Sequence, residues 1–314
     1  TTGINNVAIG WKSLFTNTTV SNLTAVGYEA LYSNTTGTNN VALGYQALRA
    51  NTTSWGNTAV GASALSAHTI GSSRNTAIGY LSLAANTTGA ANTAVGGHAL
   101  QSNTTGHSNS AMGFSSMSTM TTGTYNTSLG YMSLFSGTTA GANVALGANS
   151  MTSSTSGQTN TAVGSSSLQY STTAGANVAI GHRNMQLLTT GHGNTAVGTR
   201  TLELTTTASN NSVMGYFALF NNRTGTGNVA VGANSLYSNT TGSNNVASGY
   251  MALNANTTTV ATFGTITGGT GYTANLVAEP ATLSYVSGST ANAYPPVLIT
   301  TDANGVVTAV TLVI

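Results

Sequence analysis

The chain has 314 residues, of which six are Lys or Arg and four are Asp or Glu, giving a formal net charge of +2 and a charged fraction of only 3%. Globular domains carry about 25% charged residues, so an ordinary solvated surface is not expected, and the singly scattered charges exclude a basic stripe for nucleic acid and an acidic face for cations. There is no cysteine, which excludes disulfides and leaves stability to packing and hydrogen bonds.

The first residues, "TTGINN", carry no basic or apolar leader pattern and read as the tail of a preceding "NTTG" unit. A piece of a longer or processed chain is therefore expected. From Gly10 onward one pattern returns, marked by Gly10, Gly27, Gly44, Gly61, Gly79, Gly96, Gly113, Gly130, Gly147, Gly164, Gly181, Gly198, Gly215, Gly232 and Gly249. These fifteen units step by 17 residues, except for 18 between Gly61 and Gly79, which places one extra residue near Gly71 to Arg74. Seventeen is half of a familiar helix-pair period, but the Gly, Asn, Thr and β-branched content of each unit disfavours helix. Stacked β-coils with two short strands per turn fit the composition better. The fold expected is all-β, a parallel β-solenoid or β-roll of fifteen 17-residue coils over residues 1–254, followed by a small β module over 255–314.

In a solenoid each residue lies about 4.8 Å above its counterpart in the next coil, so aligned positions behave as columns. Two residues before the glycine stands Ala in thirteen units, with Ser128 and Val213 in the others. Four residues after it stands Leu or Met without exception, as at Leu48 and Leu65. The Leu column is expected to fill the lumen, the Ala column to let backbones approach, and Gly44 and Gly61 to turn the chain. Asn40 and Asn57, four residues before the glycine, predict an amide ladder that Leu23 alone interrupts. Thr52 and Thr69 stand eight residues after it, and a second threonine column follows at the next position. Alternation predicts that the two threonine columns face opposite sides, with one internal.

The same alternation applied to "NTAVG" points Thr and Val one way and Asn, Ala and Gly the other. A narrow coil can bury one of these faces, and an aliphatic stripe on the other would be sticky. Several chains sharing an axis, each with a shaft on the order of 70 Å, are the expectation from this pattern. Beyond residue 254 the period breaks, and Pro280, Pro295 and Pro296 appear with a turn expected over Asp302 to Gly305. The apolar runs near the C-terminus are interrupted by threonine and fall short of the roughly 20 residues of a spanning helix. No membrane insertion is expected.

Residues suited to catalysis are scattered. His68, His98, His107, His182 and His192 lack metal-ligand spacing, and the expected place for each is a solvated corner. Glu29 and Glu203 are ten coils apart, and Glu279 and Asp302 read as surface residues of the C-terminal module. No serine has a histidine and an acid at triad spacing, and "GGTGYT" at Gly268 to Thr273 lacks the lysine of a phosphate loop. No catalytic residue, metal, cofactor or nucleic-acid partner is expected. Tyr28, Tyr45, Tyr80 and Tyr131 follow the motif glycine and could stack on glycans or cover corners. Regular threonine arrays also raise ice binding.

The motifs "NNVAIG", "GNTAVG", "NNVALGYQAL" and "NTTG" resemble the head repeats of YadA-like trimeric autotransporter adhesins and related repeats of phage tail fibres. The resemblance covers Thr1 to about Asn254, with a longer period that falls in the "NTTG" loop. It implies a left-handed β-roll, a homotrimer, and attachment to a surface. The function expected is a non-enzymatic structural rod of an extracellular adhesive fibre, on a virion or a cell surface, with cell-surface glycans as possible ligands. The alternatives are an end-to-end self-assembling filament and an ice- or glycan-binding solenoid.

Overall fold

A computed structural model of the protein describes residues 2–71 and 74–256, together with three strands nearer the C-terminus. The described residues contain no helix, and the fold is the all-β parallel solenoid that the columns predict. The chain divides into two compact units, Thr1–Asn177 and Val178–Ile314. In the first, three-residue strands run from β1 (Val7–Ile9), β2 (Thr24–Val26) and β3 (Val41–Leu43) to β10 (Thr161–Val163). In the second they run from β11 (Val178–Ile180) to β15 (Val246–Ser248). Within each unit, successive strands are parallel neighbours in sequence order. The register is one coil per step: in β3 Val41, Ala42 and Leu43 oppose Thr58, Ala59 and Val60.

Composition predicts two strands per coil, and only one forms. The reason lies after the motif glycine, where the second and fourth residues take left-handed backbone angles, as in Gln46 (φ 54°) and Leu48 (φ 51°). Left-handed residues cannot continue an extended strand. They instead turn amides alternately up and down the stack. Gln46 N donates to Tyr28 O of the preceding coil at 2.8 Å, and Leu48 N donates to Ala64 O of the following coil at 3.0 Å. A third left-handed residue comes before each strand: Asn at Asn5, Asn22, Asn39, Asn210 and Asn244 and Gly at Gly56, Gly193 and Gly227, the types that tolerate it best, but also Ala91, Tyr125 and Thr159.

The lumen is packed as the columns predict. Ala42, Ala47 and Leu48 of the third coil are fully buried, and so are Ala59, Ala64 and Leu65 of the fourth. Every residue of the Leu column has a left-handed backbone, and all from Leu14 to Leu236 are buried as well, which explains why the column holds Leu and Met and never Ile or Val. A branch at Cβ is poorly tolerated there. Leu100→Ile keeps the side-chain volume and should still lower stability by about 1–3 kcal/mol, whereas Leu100→Met should stay within about 1.5 kcal/mol of the parent. Urea midpoints of the two variants check this. Equal midpoints would mean that the φ of 50° at Leu100 imposes no constraint.

Strand residues alternate as read from the sequence: Ala42 is buried, while Val41 and Leu43 point outward with 38% and 45% exposure. The motif glycine is required twice over. Gly44 has φ +137°, and a Cβ added there would stand 2.6 Å from the carbonyl oxygen of Gly61 in the next coil.

Three antiparallel strands lie in the C-terminal region: β16 (Ser284–Tyr285), β17 (Val297–Thr301) and β18 (Val307–Leu312). The expected turn over 302–305, the glycine loop over 268–273, the three prolines and Glu279 lie outside the described residues, as do Ser72 and Ser73 at the extra residue.

Candidate functional site

Two asparagine columns form amide ladders, one in nearly every coil and one in short runs. In the predicted one, Asn40 Oδ1 accepts from the backbone N of Asn57 at 2.9 Å and from its Nδ2 at 3.1 Å, and Asn57 Oδ1 accepts likewise from Asn75. Asn40 Nδ2 donates to Ser54 O at 2.8 Å and so ties the strand entrance to the opposite loop of its own coil. Both residues are fully buried. This column satisfies a backbone N–H just ahead of each strand, where an orphan donor would be costly.

The second ladder, seven residues after the motif glycine, is not anticipated by the sequence reading. Asn51 Nδ2 donates to Asn34 Oδ1 at 2.9 Å, and Asn103 Nδ2 donates to Asn86 Oδ1 at 2.8 Å. His68 stands in this column. It is fully buried rather than a solvated corner residue, and Asn86 Nδ2 lies 3.1 Å from its Nδ1. Burial pushes its pKa down to about 4, against a weaker opposing hydrogen bond with the Thr87 backbone. Below it, the buried Asn51 Oδ1 has no hydrogen-bond partner. The signal was available in the alignment, because Asn34, Asn51, Asn86 and Asn103 share the column of His68.

The threonine columns depart from expectation. Thr52 Oγ1 donates to Thr69 O at 2.9 Å, and Thr104 Oγ1 to Thr121 O at 3.1 Å, so the first column is a hydroxyl-to-carbonyl ladder. Neither it nor the second column, which includes the exposed Thr53 and Thr105, is buried. Both lie in a bend instead of a strand, so strand alternation does not apply to them. With the Thr52 and Thr104 hydroxyls committed to carbonyls, the outer threonine array narrows to the second column, which Ile70 and Ser156 interrupt.

Aromatic residues form the outer counterpart of these ladders. Trp11 and Tyr28 stack at 4.7 Å, and Tyr28 and Tyr45 at 5.2 Å, with planes within 14° of parallel. Tyr28 therefore has a ring on each face, while Tyr45 keeps one face toward Ala62. Phe114 and Tyr131 stack at 6.0 Å. Tyr80 instead meets the edge of His98 at 5.3 Å. Tyr45, Tyr80 and Tyr131 are all more than half exposed. Beside this row, the outward strand positions make a second stripe, with Ile9, Leu43, Ile78, Met112 and Leu129 exposed in the first unit.

Among the described residues, both glutamates are ion-paired within their own neighbourhoods. Arg49 Nε donates to Glu29 Oε2 at 2.7 Å and Gln46 Nε2 to the same oxygen at 3.0 Å, and the Arg49 bond holds the Glu29 carboxyl below its ordinary pKa. Glu203 receives Arg200 Nε at 2.5 Å and lies 4.0 Å from Arg183. Among the described residues no three His, Asp or Glu side chains converge on a metal-sized site, and no helix is long and apolar enough to cross a membrane. The class that the fold defines is a parallel β-solenoid with internal polar ladders. The chain matches no protein-family model, no curated protein and no solved structure.

Proposed function

We propose that the protein is a non-enzymatic structural rod of an extracellular adhesive fibre, a tail fibre of a virion or the shaft of a surface adhesin, assembled as a homotrimer. The observation that supports this reading most is the outward strand stripe. Leu43 and Leu129 are 45% and 48% exposed beside strands whose other face is fully buried. A continuous apolar stripe on an almost uncharged protein favours burial against like stripes. The inward positions are committed to the ladders and the Leu column, which leaves rigidity as the contribution of the coils.

Sedimentation equilibrium is expected to give a mass three times that of the 31.3 kDa chain. Leu129→Lys, on the stripe, should lower that mass while leaving the β-sheet circular dichroism unchanged. A stable monomer would overturn the trimer, and mass that keeps growing with concentration would replace it with an end-to-end filament.

A further inference from the structure

We propose that the gap in the aromatic row at Ala62, between Tyr45 and Tyr80, is a binding notch for a neutral pyranose ring. In this part of the first unit the residue after the motif glycine is Trp11, Tyr28, Tyr45, Ala62, Tyr80, Gly97, Phe114 and Tyr131. The row thus lacks a ring at two coils, Ala62 and Gly97. Adjacent rings of the row stack at 4.7 to 6.0 Å, and coils two strand spacings apart leave about 10 Å between ring centroids. One further ring placed midway sits about 5 Å from each, inside the range of favourable aromatic contacts.

At Gly97 the chain fills this space itself. His98 inserts its imidazole between Tyr80 and Phe114, with ring centroids 5.3 and 5.4 Å away, and Gln101 Oε1 lies 2.9 Å from its Nδ1. A gap of this width therefore takes a five-membered ring in contact with both walls. At Ala62 the residue in the position of His98 is Ser63, whose side chain is too short to reach between the rings. Tyr45 and Tyr80 remain 52% and 56% exposed on either side.

The notch lies between the exposed rings of Tyr45 and Tyr80, with Ala62 in the coil between them and Ser63 next to it in sequence, so the hydroxyl-bearing residues nearest the gap are Tyr45, Tyr80 and Ser63. No charged side chain stands at the wall or floor positions, Tyr45, Ala62 and Tyr80, or at the rim position Ser63. A pyranose matches this arrangement, because its C–H faces meet the rings while its peripheral hydroxyls remain with the rim and water. A charged aromatic compound would lose hydration without a counter-charge.

The inference rests on the attachment reading for its biological sense and deepens it by naming a ligand class. The two fail separately, since sedimentation reports the assembly and titration reports the notch. The test is calorimetric or NMR titration of the full chain with the methyl glycosides of glucose, galactose and N-acetylglucosamine. At least one should bind, with the Kd raised at least tenfold by Tyr45→Ala or Tyr80→Ala and unchanged by Tyr170→Ala. Ala62→Trp should abolish binding while both tyrosines remain. That variant should fold, because Trp11 occupies the same column, and unchanged thermal unfolding verifies it. Binding that survives Ala62→Trp, binding of none of the three glycosides, or capture of indole in their place would overturn the proposal.

Discussion

Gly130→Ala should destabilise the first unit by about 2–6 kcal/mol. Gly130 has φ +143°, and an added Cβ would lie 2.6 Å from the carbonyl oxygen of Gly147 and 2.7 Å from its carbonyl carbon. The backbone angle costs an L-residue about 1–3 kcal/mol, and forcing two coils apart adds about 1–3 kcal/mol of overpacking. Neither cost can relax alone, because the obstructing atoms are backbone. Gly141→Ala is the control. Its Cβ would meet nothing closer than Thr124 O at 3.6 Å, and its backbone is not left-handed, so it should change stability by no more than about 1 kcal/mol. Paired urea unfolding curves decide between the two. A Gly130 variant as stable as the Gly141 variant would show that the coils are not held at the described spacing.

His68→Asn should remove an acid sensitivity specific to one coil. An unfolded histidine takes up its proton near pH 6.5, whereas burial holds His68 neutral down to about pH 4. Between those values the unfolded chain binds more protons than the folded one, so stability falls as the pH is lowered through that window. The stabilisation is fully present above about pH 6.5 and, near pH 4, is smaller by up to about 3 kcal/mol. His68→Asn restores an amide in a column where Asn51 and Asn86 already sit, and offers the unpartnered Asn51 Oδ1 a donor. The variant should exceed the parent in stability at neutral pH by about 1 kcal/mol, with a margin that widens toward pH 4. Glu29 titrates in both proteins, so the difference between them isolates the histidine. Hydrogen exchange at the Asn86 and Thr87 amides between pH 7 and pH 4 is the local readout. Parallel pH dependence in parent and variant would mean that His68 titrates as an ordinary solvated histidine.

The features legible in the sequence are those in which one side chain repeats for one reason. The Ala42 and Leu48 columns, the motif glycine and the Asn40 ladder could be placed because burial, close approach and amide pairing each select a narrow residue type. The backbone after the glycine was not legible by the same logic. Left-handed angles at Gln46 and Leu48 carry no compositional mark of their own, since Gln and Leu are ordinary in many conformations. The clue was negative, the absence of Ile and Val from a column otherwise free to choose among large aliphatics. The outward threonines misled because alternation was carried past the strand into a bend. The aromatic row was visible as a list of tyrosines, but which faces were covered depended on the coil spacing and on His98 leaving its own column.

The inter-coil hydrogen bonds of the ladders, strands and turns, including Thr52 to Thr69, Leu48 to Ala64 and Asn57 to Asn40, join one coil to the next within a unit. Tension along the stack therefore passes through the coils in series, like load through the links of a chain, and the junction with the fewest bonds sets the strength of the unit. A buried amide oxygen goes unpaired at Asn51, facing the coil of His68, and another at Asn103, facing the coil of Met120, so these two junctions of the first unit lack the ladder bond that joins Asn34 to Asn51.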